Sequence, residues 1–158
     1  MTDDDRNLLD FWQDNGFDGA DRGLPIYFTN SDDWWERNHN HIQWAFPIPE
    51  PSRAVPASPA AADDFYDEMK SNPLMQARLI MLTGRFLSFL ENSHEWVNEY
   101  DHNHLRITRV IRCLALCGMD EMASTVYKFA YNQIGGTVPE DTVAYWRAAL
   151  SSHVVTVR

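Results

Sequence analysis

Nearly every stretch of this sequence between its prolines and glycines repeats apolar residues at intervals of three and four, and that spacing commits the chain to helices. Leu8, Leu9 and Trp12 make one such face, and Trp34, Trp35, Ile42, Ala45 and Phe46 a second. Phe65 and Met69 begin a third, and Leu74, Leu79, Leu82, Phe86, Phe89 and Leu90 carry a fourth over residues 73 to 91. The pattern returns in Ile107, Val110, Ile111 and Leu114, in Met122, Val126, Phe129 and Ala130, and in Val143, Trp146 and Leu150.

Start and stop residues fall at the ends of these faces. Thr2 ahead of three aspartates caps free backbone amides and sets carboxylates on the positive end of a helix dipole, with Gly16 as the stop. Asn30 or Ser31 opens the second helix, which runs on to Pro47. Ser58-Pro59 and Asn72-Pro73 each place proline at a first helical position. The fifth helix spans about His102 to Cys117, closed by Gly118. Asp120 starts the next, Gly135-Gly136 stops it, and Pro139 starts the last. Residues 16 to 30, with Gly19, Gly23 and Pro25, read as an ordered loop, and His153 to Arg158 as an ordered tail or a stray strand.

From Pro47 to Pro59 five prolines fall in 13 residues, so this stretch runs extended. Neither flank is long enough to fold alone, which makes it a strap over the core and not a linker. The expectation is an all-α protein: a single compact domain over residues 1 to 158, about six helices in an irregular orthogonal array, the second and fifth central and the strap outside. Six tryptophans and an aromatic share of 13% foresee a large aromatic core.

Charge and cysteines narrow the partners. With 23 acidic against 13 basic residues the chain carries −10, which opposes attraction to nucleic acid or anionic lipid. Cys113 and Cys117 share a helical face but are poorly placed for a disulfide, so they read as free, buried thiols in a reducing compartment. No signal peptide or apolar run of spanning length is present, pointing to a soluble intracellular protein.

Two stretches are far more specific than composition: Glu36-Arg-Asn-His-Asn-His-Ile-Gln-Trp-Ala-Phe-Pro47 and His102-Asn-His-Leu-Arg-Ile-Thr-Arg-Val-Ile-Arg112. Both resemble the conserved domain of the opioid growth factor receptor family, which carries an E-x-N-H-x-x-I-Q-W-x-F-P block and later an H-N-x-L-R-I-T-R block running on to a leucine and a glycine. The match falls on Glu36, Asn38, His39, Ile42, Gln43, Trp44, Phe46 and Pro47, then on His102, Asn103, Leu105, Arg106, Ile107, Thr108 and Arg109, with Leu114 and Gly118 beyond. His41 and His104 stand where the family more often has other residues. The resemblance implies an all-helical domain, and this chain, with no extended tail, reads as the bare domain. For the eukaryotic receptors it implies binding of the opioid growth factor peptide, association with the nuclear envelope and restraint of proliferation.

The polar residues of the two blocks form the candidate ligand site. On one helix Glu36, His39 and Gln43 follow at three and four residues beside Trp44; on the other His102, Arg106 and Arg109 do the same. Packed together, these stripes pair Glu36 with Arg109 in a buried polar network, or leave the arginines facing a pocket. Arginines, an aromatic wall and an imidazole suit a peptide, a small anionic or zwitterionic ligand, or a protein partner. No cofactor or metal is expected, and no nucleophile has a base in a recognisable pattern, so the chain reads as a binding module and not an enzyme. The rival is a metal-dependent hydrolase holding its ion through His39, His41, His102 and His104 with Asp101 or Glu36. Against it, residues i and i+2 of a helix point about 160° apart, and adjacent His-Asn-His does not match the spread residues of the ββα nucleases of similar name.

Overall fold

The computed structural model describes residues 1–152, and the residues so described form nine helices and no strand. The tail from His153 to Arg158 lies outside them. The helices are α1 (Asp3–Trp12), α2 (Leu24–Thr29), α3 (Asp32–Arg37), α4 (Ile42–Ala45), α5 (Asp63–Ser71), α6 (Pro73–Asn92), α7 (Asn103–Leu116), α8 (Asp120–Ile134) and α9 (Glu140–Ala149). They fall in two units, Met1–Phe86 and Leu87–Arg158, and the division comes within α6, not in the proline run. No helix among the described residues is long and apolar enough to cross a membrane.

In the first unit α1 packs on α5. Thr2 caps α1 as its sequence requires, its hydroxyl accepting from Asp5 N at 3.0 Å. The strap from Pro47 to Pro59 carries no helix and lies inside this unit. Its exit is pinned by α1: Asp4 accepts from Ala60 N at 3.0 Å, and fully buried Asp5 from Ala62 N at 2.7 Å and Phe65 N at 3.2 Å. Ala62, the N-cap of α5, has no capping side chain of its own, so Asp5 supplies the acceptor from another helix. This also corrects the expected helix start at Pro59. Ala60 and Ala62 are held outside the helix by the two carboxylates, and Ser58 donates to Val55 O instead of capping.

Two further corrections concern short helices. Residues 24 to 29 form α2 where a loop was expected; Pro25 sits at its first turn, a position that costs no hydrogen bond. The expected single helix from Ser31 to Phe46 is two. α3 ends at Arg37, and Asn38 leaves the helix with φ −81° and ψ 143° while its amide donates back to Trp34 O at 2.9 Å. The chain re-enters helix only at Ile42.

In the second unit α7 packs on both α8 and α9. Gly118 stops α7 as expected: its φ of 75° lets Met119 N reach back to Leu114 O at 2.8 Å. Ile107, Val110, Ile111, Cys113, Leu114 and Cys117 are buried, and both cysteines are free thiols.

Candidate functional site

The first specific block is built around a carboxylate outside it. Asp18, in the loop after α1, accepts from Ala20 N at 2.8 Å and Arg22 N at 3.0 Å through one oxygen. Its other oxygen takes Arg22 Nε at 2.7 Å and the Tyr27 hydroxyl at 2.6 Å. Burial, and after it the bond to Asp18, push the Tyr27 phenol far above its ordinary range, so it stays a donor. Arg22, fixed by Asp18, donates onward to Asn38 Oδ1 at 3.3 Å and Asn40 Oδ1 at 2.8 Å. Its guanidinium lies 5.3 Å from the centre of the Trp34 ring. The turn joining α3 to α4 is thus clamped by an arginine on its two asparagines and an indole.

Beneath this turn the His41 ring is fully buried, centred 4.8 Å from both Trp34 and Trp35. Gln43 and Trp44 are buried in α4. The Gln43 amide donates to His39 O at 3.1 Å and to Ser52 Oγ at 3.5 Å, tying α4 to the strap. The Trp44 carbonyl accepts the Trp12 indole N–H at 3.0 Å. His39 is exposed in the turn and Glu36 is half-buried near the end of α3. Because the helix breaks between them, Glu36, His39 and Gln43 do not share one continuous stripe, contrary to expectation.

The second block begins one residue before α7. Asp101 Oδ1 accepts from Asn103 N at 2.8 Å, capping the helix, and lies 4.0 Å from Nδ1 of exposed His102. Arg106 is buried and donates to Asn103 Oδ1 at 3.3 Å; Arg109 is half-buried a turn further on. His104 is a core residue. Its Nε2 meets Trp96 O at 2.6 Å, and since a carbonyl only accepts, that nitrogen carries the proton. The His104 carbonyl in turn accepts the Trp146 indole at 3.0 Å.

Each His-Asn-His tripeptide therefore turns one imidazole outward, His39 or His102, and buries the other, His41 or His104. Neither pair presents both rings to one ion. Sequence reasoning missed Asp18, Arg22 and Tyr27, which organise the first block. The available signal was an acid and a base four residues apart between Gly16 and Gly23, in a loop otherwise read only as ordered.

The chain is similar to the opioid growth factor receptor of Mus musculus, 28% identical over 136 residues that cover 75% of this chain and 21% of the receptor. It is similar to the receptor of Rattus norvegicus, 30% identical over 116 residues covering 61% of this chain and 20% of that one. It also matches the opioid growth factor receptor-like protein 1 of Mus musculus, 25% identical over 142 residues covering 78% of this chain and 30% of the relative. The chain thus spans at most about three tenths of the length of these relatives. A match over 78% of 158 residues leaves about 35 outside, so wherever it begins it takes in both specific blocks. No family model matches the chain, and no solved structure does. Across most of its length, blocks included, this chain therefore carries an opioid growth factor receptor-like domain.

Proposed function

We propose that this chain is a non-enzymatic recognition module acting inside the cell, whose ligand is a peptide, a small anionic or zwitterionic molecule, or another protein. The observation that carries this reading is the clamped turn between α3 and α4. Arg22 is held by Asp18 on one side and by Asn38 and Asn40 on the other, stacked on Trp34, beside exposed His39. A surface turn fixed in this way loses little conformational entropy on binding, which favours recognition. In the first block His39 and Glu36 make contact with ligand, while Gln43 and Trp44 hold the turn from beneath. In the second block His102 and Arg109 offer polar groups along α7, with Arg106 held against Asn103.

The reactive groups in and just beyond the second block support binding over catalysis. His104 is committed to a backbone carbonyl, and burial followed by the hydrogen bond to Cys117 raises the Cys113 thiol well above its ordinary range. Of the relatives, two are named receptors and one receptor-like. Titration of the isotopically labelled chain with opioid growth factor peptide tests the reading directly. Saturable shifts confined to amides of residues 36–47 or 102–112, with no peptide cleaved, are expected. Unchanged spectra at millimolar peptide, peptide turnover, or stoichiometric zinc in the dialysed protein would each overturn it.

A further inference from the structure

The connection between α8 and α9 borders a cleft of about 730 Å³, a volume typical of small-ligand sites. Its floor is apolar, made by buried Ile134, Val138 and Val143. Gly135 and Gly136 close one end with backbone alone. Their φ values of 53° and 84° lie in the left-handed region, and a Cβ on either would meet nothing within 4 Å.

The rim carries Glu140 and Asp141 at the start of α9 and Arg147 two turns later, all exposed. These charges do not neutralise one another. Among the described residues the Arg147 side chain has one hydrogen bond, from Nε to the Tyr127 hydroxyl at 3.3 Å, and the two carboxylates form no ion pair. One wall of the cleft therefore has a negative end and a positive end above an apolar floor. The seven-residue step from Glu140 to Arg147 separates their Cα atoms by about 10.5 Å along the helix axis. An extended chain advances about 3.3–3.6 Å per residue, so the termini of a tripeptide lie about 10 Å apart. A free amino acid is too short to reach both ends, and a polyanion would meet the two carboxylates.

We propose that this cleft binds a short zwitterionic peptide of about three apolar residues, its amine on Glu140 and Asp141, its carboxylate on Arg147 and its side chains on the floor. This rests on the reading of the chain as a recognition module and adds a site and a ligand length to it. The test is titration of the labelled full chain with trileucine, and with trileucine acetylated and amidated at its ends. Free trileucine is expected to shift the amides of Gly135, Gly136, Val138 and Ala144 saturably. Capping both termini, or the variants Glu140→Gln with Asp141→Asn and Arg147→Gln, should weaken binding at least tenfold. These positions are exposed, so unchanged signal dispersion elsewhere will show that the variants fold. No shift at the solubility limit, equal binding of the capped peptide, or shifts confined to residues outside 131–147 would overturn the proposal. If opioid growth factor binds while trileucine does not, the cleft assignment fails and the recognition reading stands; if neither binds, both fail.

Discussion

Replacing Asp5 should unfasten α5, sixty residues away in sequence, more than it disturbs α1. The carboxylate is fully buried and its two oxygens accept from Ala62 N at 2.7 Å and Phe65 N at 3.2 Å. No cation among the described residues pairs with it, so its partners are the free amides at the start of α5. Hydrogen bonds to a charged group contribute about 1.5–3 kcal/mol each, which brackets the loss in Asp5→Ala at about 3–6 kcal/mol. Water entering the vacated space recovers part of this, so a loss near the lower end, about 3 kcal/mol, is expected. Asp5→Asn is the sharper probe. It keeps the shape and one acceptor but turns an N–H₂ group toward an amide donor, and should still cost about 2 kcal/mol. Urea unfolding followed by tryptophan fluorescence measures the total, and hydrogen exchange of the α5 amides shows where it is lost. If Asp5→Ala stays within about 0.5 kcal/mol of the parent and α5 exchanges no faster, the reasoning is wrong.

Tyr27→Phe removes a buried hydroxyl from Asp18 and should cost about 1–3 kcal/mol in the same unfolding assay. The raised Tyr27 phenol also fixes a pH dependence. The unfolded chain ionises this tyrosine near pH 10 while the folded chain keeps its proton, so stability falls as pH rises above about 10, and phenolate absorbance should lag behind that of Tyr27→Phe plus one free tyrosine until unfolding. With Cys113 buried and its thiol raised, neither cysteine should react with a disulfide reagent in the folded state, and two should react in urea; rapid native reaction would contradict the packing. Gly135→Ala adds a side chain in open space but at φ 53°, so it should destabilise by about 1 kcal/mol through the backbone alone, read as a lower melting temperature.

The long helices were legible because apolar spacing, caps and glycine stops agree there. α6 begins at the expected Asn72-Pro73, and α7 ends at the expected Gly118. The misreadings fall where side-chain hydrogen bonds or local backbone geometry override the apolar spacing. Apolar spacing ran on from Trp35 to Ile42 because both are buried, yet Asn38 and Arg22 hold the intervening turn out of helix. The alanines at 60 to 62 favour helix locally, but Asp4 and Asp5 bind the amides of Ala60 and Ala62, and Ala61 N donates to Ile48 O. α1 likewise stops at Trp12, short of Gly16, with Asp14 taking a φ of 60°. The candidate site was legible as two blocks of letters, but the contribution of Asp18 was not, since it lies outside both.

Four of the six indoles, those of Trp12, Trp35, Trp96 and Trp146, are fully buried, and each donates its N–H to a backbone carbonyl, of Trp44, Tyr27, Leu90 and His104 in turn. Two fall in each unit. Indole protons resonate apart from other amides, so these four act as paired clocks that report exchange with solvent from either unit without any added label. Should the two units open independently, the Trp12 and Trp35 signals will fade at one rate and the Trp96 and Trp146 signals at another; a single opening event would make all four fade together.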